Sequence, residues 1–136
     1  MKLITMLLTA LFTVPVMAAD SYLCIAEHSG GVGYNEVTKE WKGRVFKTKS
    51  KYIVKKADKK SGTAWIVSDH GSKVSSSFCK KDFNKDGFLF CSGYISHFTM
   101  NKKLMRFRYH YDAGYVNFSI IEFDSPFVEI GKCSKI

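Results

Sequence analysis

The stretch from Leu104 to Phe123 (LMRFRYHYDAGYVNFSIIEF) constrains the fold more than any other part of the chain. Side chains alternate between faces along an extended strand. Met105, Phe107, Tyr109 and Tyr111 therefore share one side, and Leu104, Arg106, Arg108 and His110 the other. Beyond Asp112-Ala113-Gly114-Tyr115, Val116, Phe118 and Ile120 alternate with Asn117 and Ser119. The pattern predicts a hairpin with Tyr111 opposite Val116, Tyr109 opposite Phe118 and Phe107 opposite Ile120. A slip of one residue would set Arg106 and Arg108 against apolar partners, so the register is well determined. A tight turn at Asn101-Lys102-Lys103 then brings in the preceding strand, with Met100 opposite Met105 and Phe98 opposite Phe107. That pairing sets His97 opposite Arg108 and His110 opposite Ile95 on the outward face.

The rest of the chain reads the same way. Strands are expected at Ser21–Glu27, Trp41–Lys47, Lys51–Lys56, Ala64–Ser68 and Phe127–Cys133, and a long one from Phe88 to Met100 with a bulge at Gly93. His28–Gly33 and Asp69–Ser77 are rich in glycine and serine and read as loops. No segment shows a 3.6-residue apolar period. The expected fold class is all-β, a small antiparallel meander barrel or sandwich of about eight strands. Eleven Phe, seven Tyr and two Trp supply large flat side chains to fill such a core.

The first 19 residues are a separate matter. Lys2 precedes an apolar run from Leu3 to Val16, and Met17-Ala18-Ala19 offers small residues for cleavage, the pattern of a secretory signal peptide. Residues 20–136 are then one exported domain, and no second apolar run is long enough to span a bilayer. All four cysteines lie in that domain, which in an oxidising compartment argues for two disulfides. Three connectivities are open. Cys79–Cys91 with Cys24–Cys133 is favoured, the first closing a short loop and the second clamping the first strand to the last.

The 136-residue chain carries a formal charge of +9. Lys47, Lys49, Lys51, Lys55, Lys56, Lys59 and Lys60 crowd one segment and are read as a solvated edge or as a surface for anionic partners. Export makes nucleic acid the least favoured of those partners. Asp82, Asn84 and Asp86 of the DFNKDG turn match the opening of a calcium loop, but Gly93 stands where the bidentate glutamate belongs, and an Asx-rich turn gives the same letters. Ser68-Asp69-His70 contains triad letters as neighbours in a loop, and a triad is defined by geometry rather than adjacency. Asn117-Phe118-Ser119 is a glycosylation sequon. With dispersed carboxylates and scattered histidines, the expectation is a non-enzymatic protein with no cofactor and no metal, acting on a protein partner.

Ser29-Gly30-Gly31-Val32-Gly33-Tyr34 and Trp41-Lys42-Gly43 resemble the S-G-x-x-Y … W-x-K-G pattern of the bacterial periplasmic inhibitors of c-type lysozyme. The resemblance covers about 15 residues and lacks the spacer between tryptophan and lysine. It implies a small disulfide-bearing β-barrel whose loop enters an enzyme cleft, with Ser29 and Tyr34 as contacts supported by Trp41 and Lys42. The chain as a whole also resembles small exported bacterial proteins of uncharacterised function. Because c-type lysozymes are basic, charge steering favours a related alternative, a periplasmic immunity protein that blocks an acidic enzyme. A carrier of a small apolar ligand in the barrel mouth is the third reading.

Overall fold

The computed structural model describes residues 20–117 and 124–136. Nine strands are seen there: β1 (Ser21–Asn35), β2 (Glu40–Phe46), β3 (Lys51–Lys56), β4 (Trp65–Asp69), β5 (Ser75–Cys79), β6 (Phe88–Ser92), β7 (Ser96–Asn101), β8 (Arg106–Tyr111) and β9 (Phe127–Lys135). All neighbours are antiparallel. The ring runs β1-β3-β4-β5-β6-β7-β8-β9 and closes where β9 pairs with β1. Closure covers the sheet edges that an open meander would expose. β2 lies outside the ring, paired with the second half of β1. The all-β expectation is met, as an eight-stranded barrel with one extra strand.

Alternation explains the core. From β1, Tyr22, Cys24 and Ala26 point inward, from β3 and β4 Tyr52, Val54, Trp65 and Val67, and from β6 to β8 Leu89, Phe98, Met100 and Phe107. Tyr52 is ringed by Phe98, Phe107 and Tyr109 at centroid distances of 5.8, 5.5 and 5.0 Å. Trp65 closes one end of the barrel with Tyr22 and Phe83, and its Nε1 donates to Asp82 Oδ1 at 2.7 Å.

The two disulfides have the favoured connectivity, Cys24–Cys133 and Cys79–Cys91. Cys24 and Cys133 are direct partners across the closing β1–β9 seam. Cys79 and Cys91 flank Phe78↔Ser92, the one residue pair that joins β5 to β6. These two seams lie opposite each other in the ring, with four strands on either side. Each disulfide therefore braces one of two facing joints.

Several local expectations are corrected. β8 takes β9 as its partner, with Tyr111↔Phe127, Tyr109↔Glu129 and Phe107↔Gly131, while β7 occupies its other edge. No edge is left for the expected hairpin partner, and Val116 lies in a 3₁₀ turn (Tyr115–Asn117). Residues 118–123 of that hairpin, the rest of the sequon and the expected signal peptide lie outside the described residues. The β7–β8 connection is wider than expected, running from Asn101 to its partner Arg106. The Asn101 side chain accepts the Lys103 and Leu104 amides at 2.9 and 3.2 Å, and Met105 adopts φ 50°. The resulting shift of two residues keeps the apolar face and sets His97 directly opposite His110. The long Phe88–Met100 strand is instead a hairpin turning at Gly93, whose amide donates to Ser96 O at 2.8 Å. The expected loop at His28–Gly33 is the continuation of β1, and Asp69–Ser77 contains the start of β5.

Candidate partner-binding face

Burial shows which way β5 and β6 face. Cys79 and Cys91 are bonded to each other inside the barrel, at 0% and 3% exposure, so by alternation Phe78, Phe88 and Phe90 point out. Phe90 is 62% exposed, Phe78 49%, and Tyr94, on the turn between β6 and β7, 99%. The Phe88 and Phe90 rings stack at 5.8 Å and form a ridge. On one side of it lies a groove of about 830 Å³ walled by Phe78 and Tyr94 and rimmed by Lys80 and Lys81. On the other lies a groove of about 350 Å³ bounded by Leu104, Arg106 and Arg108. The sheet register sets that second rim, since Phe88 aligns through Asn101 with Arg106 and Phe90 through Thr99 with Arg108. None of these four cations forms an ion pair among the described residues. A contiguous exposed aromatic surface of this kind marks interaction sites on soluble proteins.

The residues singled out in the sequence are divided by the fold. A register shift between Ala26 and His28 reverses the facing of β1, so Ser29 is buried opposite Glu129 rather than displayed on a loop. Tyr34 and Trp41 are brought together as cross-strand partners with rings 5.6 Å apart, and Trp41 meets Tyr115 edge-on at 5.5 Å. Lys42, on the same hairpin, pairs with Glu40 at 3.1 Å. The seven lysines are all exposed, yet β3 is paired along both edges and is no sheet edge. Lys47, Lys49 and Lys51 stand at one end of that strand and Lys55, Lys56, Lys59 and Lys60 at the other, so the run splits into groups about 14 Å apart.

The calcium-like turn is occupied by protein donors. Asp82 Oδ1 also accepts the Phe83 amide, and the indole bond from Trp65 is the main cause of its lowered carboxyl pKa. Asn84 Oδ1 accepts the amides of Asp86 and Phe88 at 3.0 and 2.8 Å. Among the described residues no group of three or more histidine, cysteine or acidic side chains is arranged to hold a metal. His97 and His110 share the Asp112 carboxylate at 3.4 and 3.1 Å, on the surface.

The mouth of the barrel holds a polar network that the sequence did not announce. Glu129, 4% exposed, accepts hydroxyls from Thr48 at 2.8 Å and Ser50 at 2.9 Å on one oxygen and from Tyr52 at 2.5 Å on the other. Burial and that carboxylate together push the Tyr52 phenol well above its ordinary pKa. A cavity of about 270 Å³ opens above it, between Phe46, Phe127 and Asp124. The outward phenylalanines, by contrast, had a partial signal in the sequence: each sits at an odd offset from a cysteine of its own strand, and once those cysteines are placed inside, parity turns the phenylalanines out.

The fold and the site together define a class, a closed antiparallel barrel braced by two disulfides that displays an aromatic, basic outer face. No protein-family model, no curated protein and no solved structure matches the chain. No helix among the described residues is long and apolar enough to cross a membrane.

Proposed function

We propose that this is an exported, non-enzymatic binding protein that holds a macromolecular partner against the outside of its barrel, in the manner of an enzyme inhibitor or immunity protein. The observation that carries the reading is the Phe78, Phe88, Phe90 and Tyr94 surface on a rigid scaffold. Rigid aromatic groups lose little entropy on binding and dominate interface energetics. Two disulfides suit an oxidising, extracytoplasmic compartment. Phe98, Leu89, Met100, Val54 and Val67 fill the interior, which weighs against a ligand carried inside the barrel.

A second reading rests on the β1–β2 hairpin. β1 outlasts its pairing with β9, which ends at Gly31, and carries Gly33 and Tyr34 past that seam to pair with Lys42 and Trp41 on β2. This is the part that resembles the lysozyme-inhibitor loop, and inhibition of c-type lysozyme tests it directly.

A photo-crosslinking residue placed at Phe90 or at Val37, the latter 91% exposed at the hairpin tip, separates the two readings in the exporting cell. Adducts to one protein at Phe90 are the expected result. Adducts at Val37 alone transfer the function to the hairpin. Absence of any protein adduct at both positions overturns the binding-protein reading.

A further inference from the structure

The geometry points to a particular chemistry for the partner: we infer a protein surface that places carboxylates around two apolar side chains, one for each groove beside the Phe88–Phe90 ridge. This rests on the binding-protein reading above and adds what the partner must present.

Relief is the first argument. The ridge divides two concave grooves of about 830 and 350 Å³, and concave apolar pockets are filled by fixed side-chain knobs. A fluid bilayer presents no such knobs. The second argument is charge. Lys80 and Lys81 rim the wide groove and Arg106 and Arg108 the narrow one, all without an ion pair among the described residues. Asp82 is the acid lining the wide groove, and its Oδ1 is already engaged by Trp65 and Phe83. Arginine guanidinium groups take carboxylates in bidentate fashion, which gives direction as well as attraction. Aromatic residues together with arginine are also the groups enriched in protein interfaces. A second copy of this chain is disfavoured, because apposing the same face would bring its unpaired cations together in a protein of formal charge +9. Single-stranded nucleic acid would use aromatic faces as stacking platforms, but here the Phe88 and Phe90 faces are turned toward each other, with an interplanar angle of 15°.

The test uses the full oxidised protein and a labelled synthetic peptide with leucine and phenylalanine spaced among glutamates, read by fluorescence anisotropy. Saturable binding is expected, weakening with added salt as exposed charge pairs are screened. The same peptide with lysine for glutamate should not bind. Phe90→Ser and the double variant Arg106→Glu/Arg108→Glu should each lower affinity about tenfold or more, the loss of one interface anchor. All three positions are exposed, so unchanged melting curves would show that the variants fold. Equal binding of acidic and basic peptides, or variants that bind like the parent, would overturn the inference. So would tighter binding to phosphatidylglycerol vesicles or to oligothymidylate that the same substitutions abolish. If the Phe90 crosslink to a protein persists while the acidic peptide fails, the partner chemistry falls and the binding-protein reading stands.

Discussion

Glu129 shows how much one side chain can organise. It is a buried carboxylate met by three hydroxyls, two of them from the crossing that leads out of β2 and into β3. β2 and β3 both pair with β1 rather than with each other, so this crossing has no ladder of its own, and Glu129 holds it to β9. Glu129→Ala would leave the buried Tyr52 hydroxyl and the half-buried hydroxyls of Thr48 and Ser50 without their acceptor and should cost about 3 kcal/mol in urea unfolding. Glu129→Gln keeps the shape and should cost less. Tyr111 is a second residue with a measurable signature. Burial first, then the hydrogen bond to Asp124 at 2.8 Å, pushes its phenol from 10.0 up to about 12. The neutral form is thus favoured by the fold. Its contribution to stability is full below pH 10 and disappears as pH rises through about 12. Ultraviolet titration of Asp124→Asn should show a phenol ionising at lower pH than in the parent.

Among the elements, β1 and the β5–β6 joint matter most. β1 serves three neighbours: β3 and β2 in succession on one edge and β9 along the other. Its register shift after Ala26 allows this, because inward and outward positions change over where the neighbour changes. Gly131 on β9 is part of the same join, since a Cβ there would fall 2.0 Å from Ile25 O and 2.8 Å from the Phe107 ring. Gly131→Ala should therefore weaken the β8–β9–β1 seam, seen as faster amide exchange there. The β5–β6 joint has a single residue pair beside its disulfide. Removing Cys79–Cys91 by double serine substitution should cost about 3 kcal/mol for its 12-residue separation, and removing Cys24–Cys133 about 5 for its 109. Hydrogen exchange should rise first in β5 and β6 when the former is absent. A uniform rise across the barrel would contradict a localised joint.

For the whole molecule, the core and the proposed recognition surface lie on opposite faces of the same sheet. Inward residues close the barrel, and outward residues on β5 to β8 and on the turns joining them carry the ridge, the grooves and the cations. Phe90→Ser should accordingly leave the unfolding midpoint nearly unchanged, within about 0.5 kcal/mol, while binding is lost. A large fall in stability would place Phe90 in the core instead. Most of the architecture was legible from alternation and cysteine count. The face of Phe107, Tyr109 and Tyr111, the outward turn of Arg106 and Arg108 and the clamp of first strand to last all appear as expected. The partner of β8 was not legible, because Val116 and Phe127 offer an apolar residue of the same parity and only closure of the ring distinguishes them.

Sequence by itself determined the strand content and the inward and outward faces, since these follow from a two-residue period local to each strand, and it left three pairings of the sulfurs open for the fold to choose among. Tertiary structure decided which strands are neighbours, where the chain passes from one edge of β1 to the next, and which lysines stand near one another. Those depend on contacts between segments far apart in the chain, where the energy of shutting the barrel outweighs the preference of any local hairpin. The proposed binding face belongs to both: its residues are oriented by parity within a strand, and its grooves exist only because β5 to β8 lie side by side.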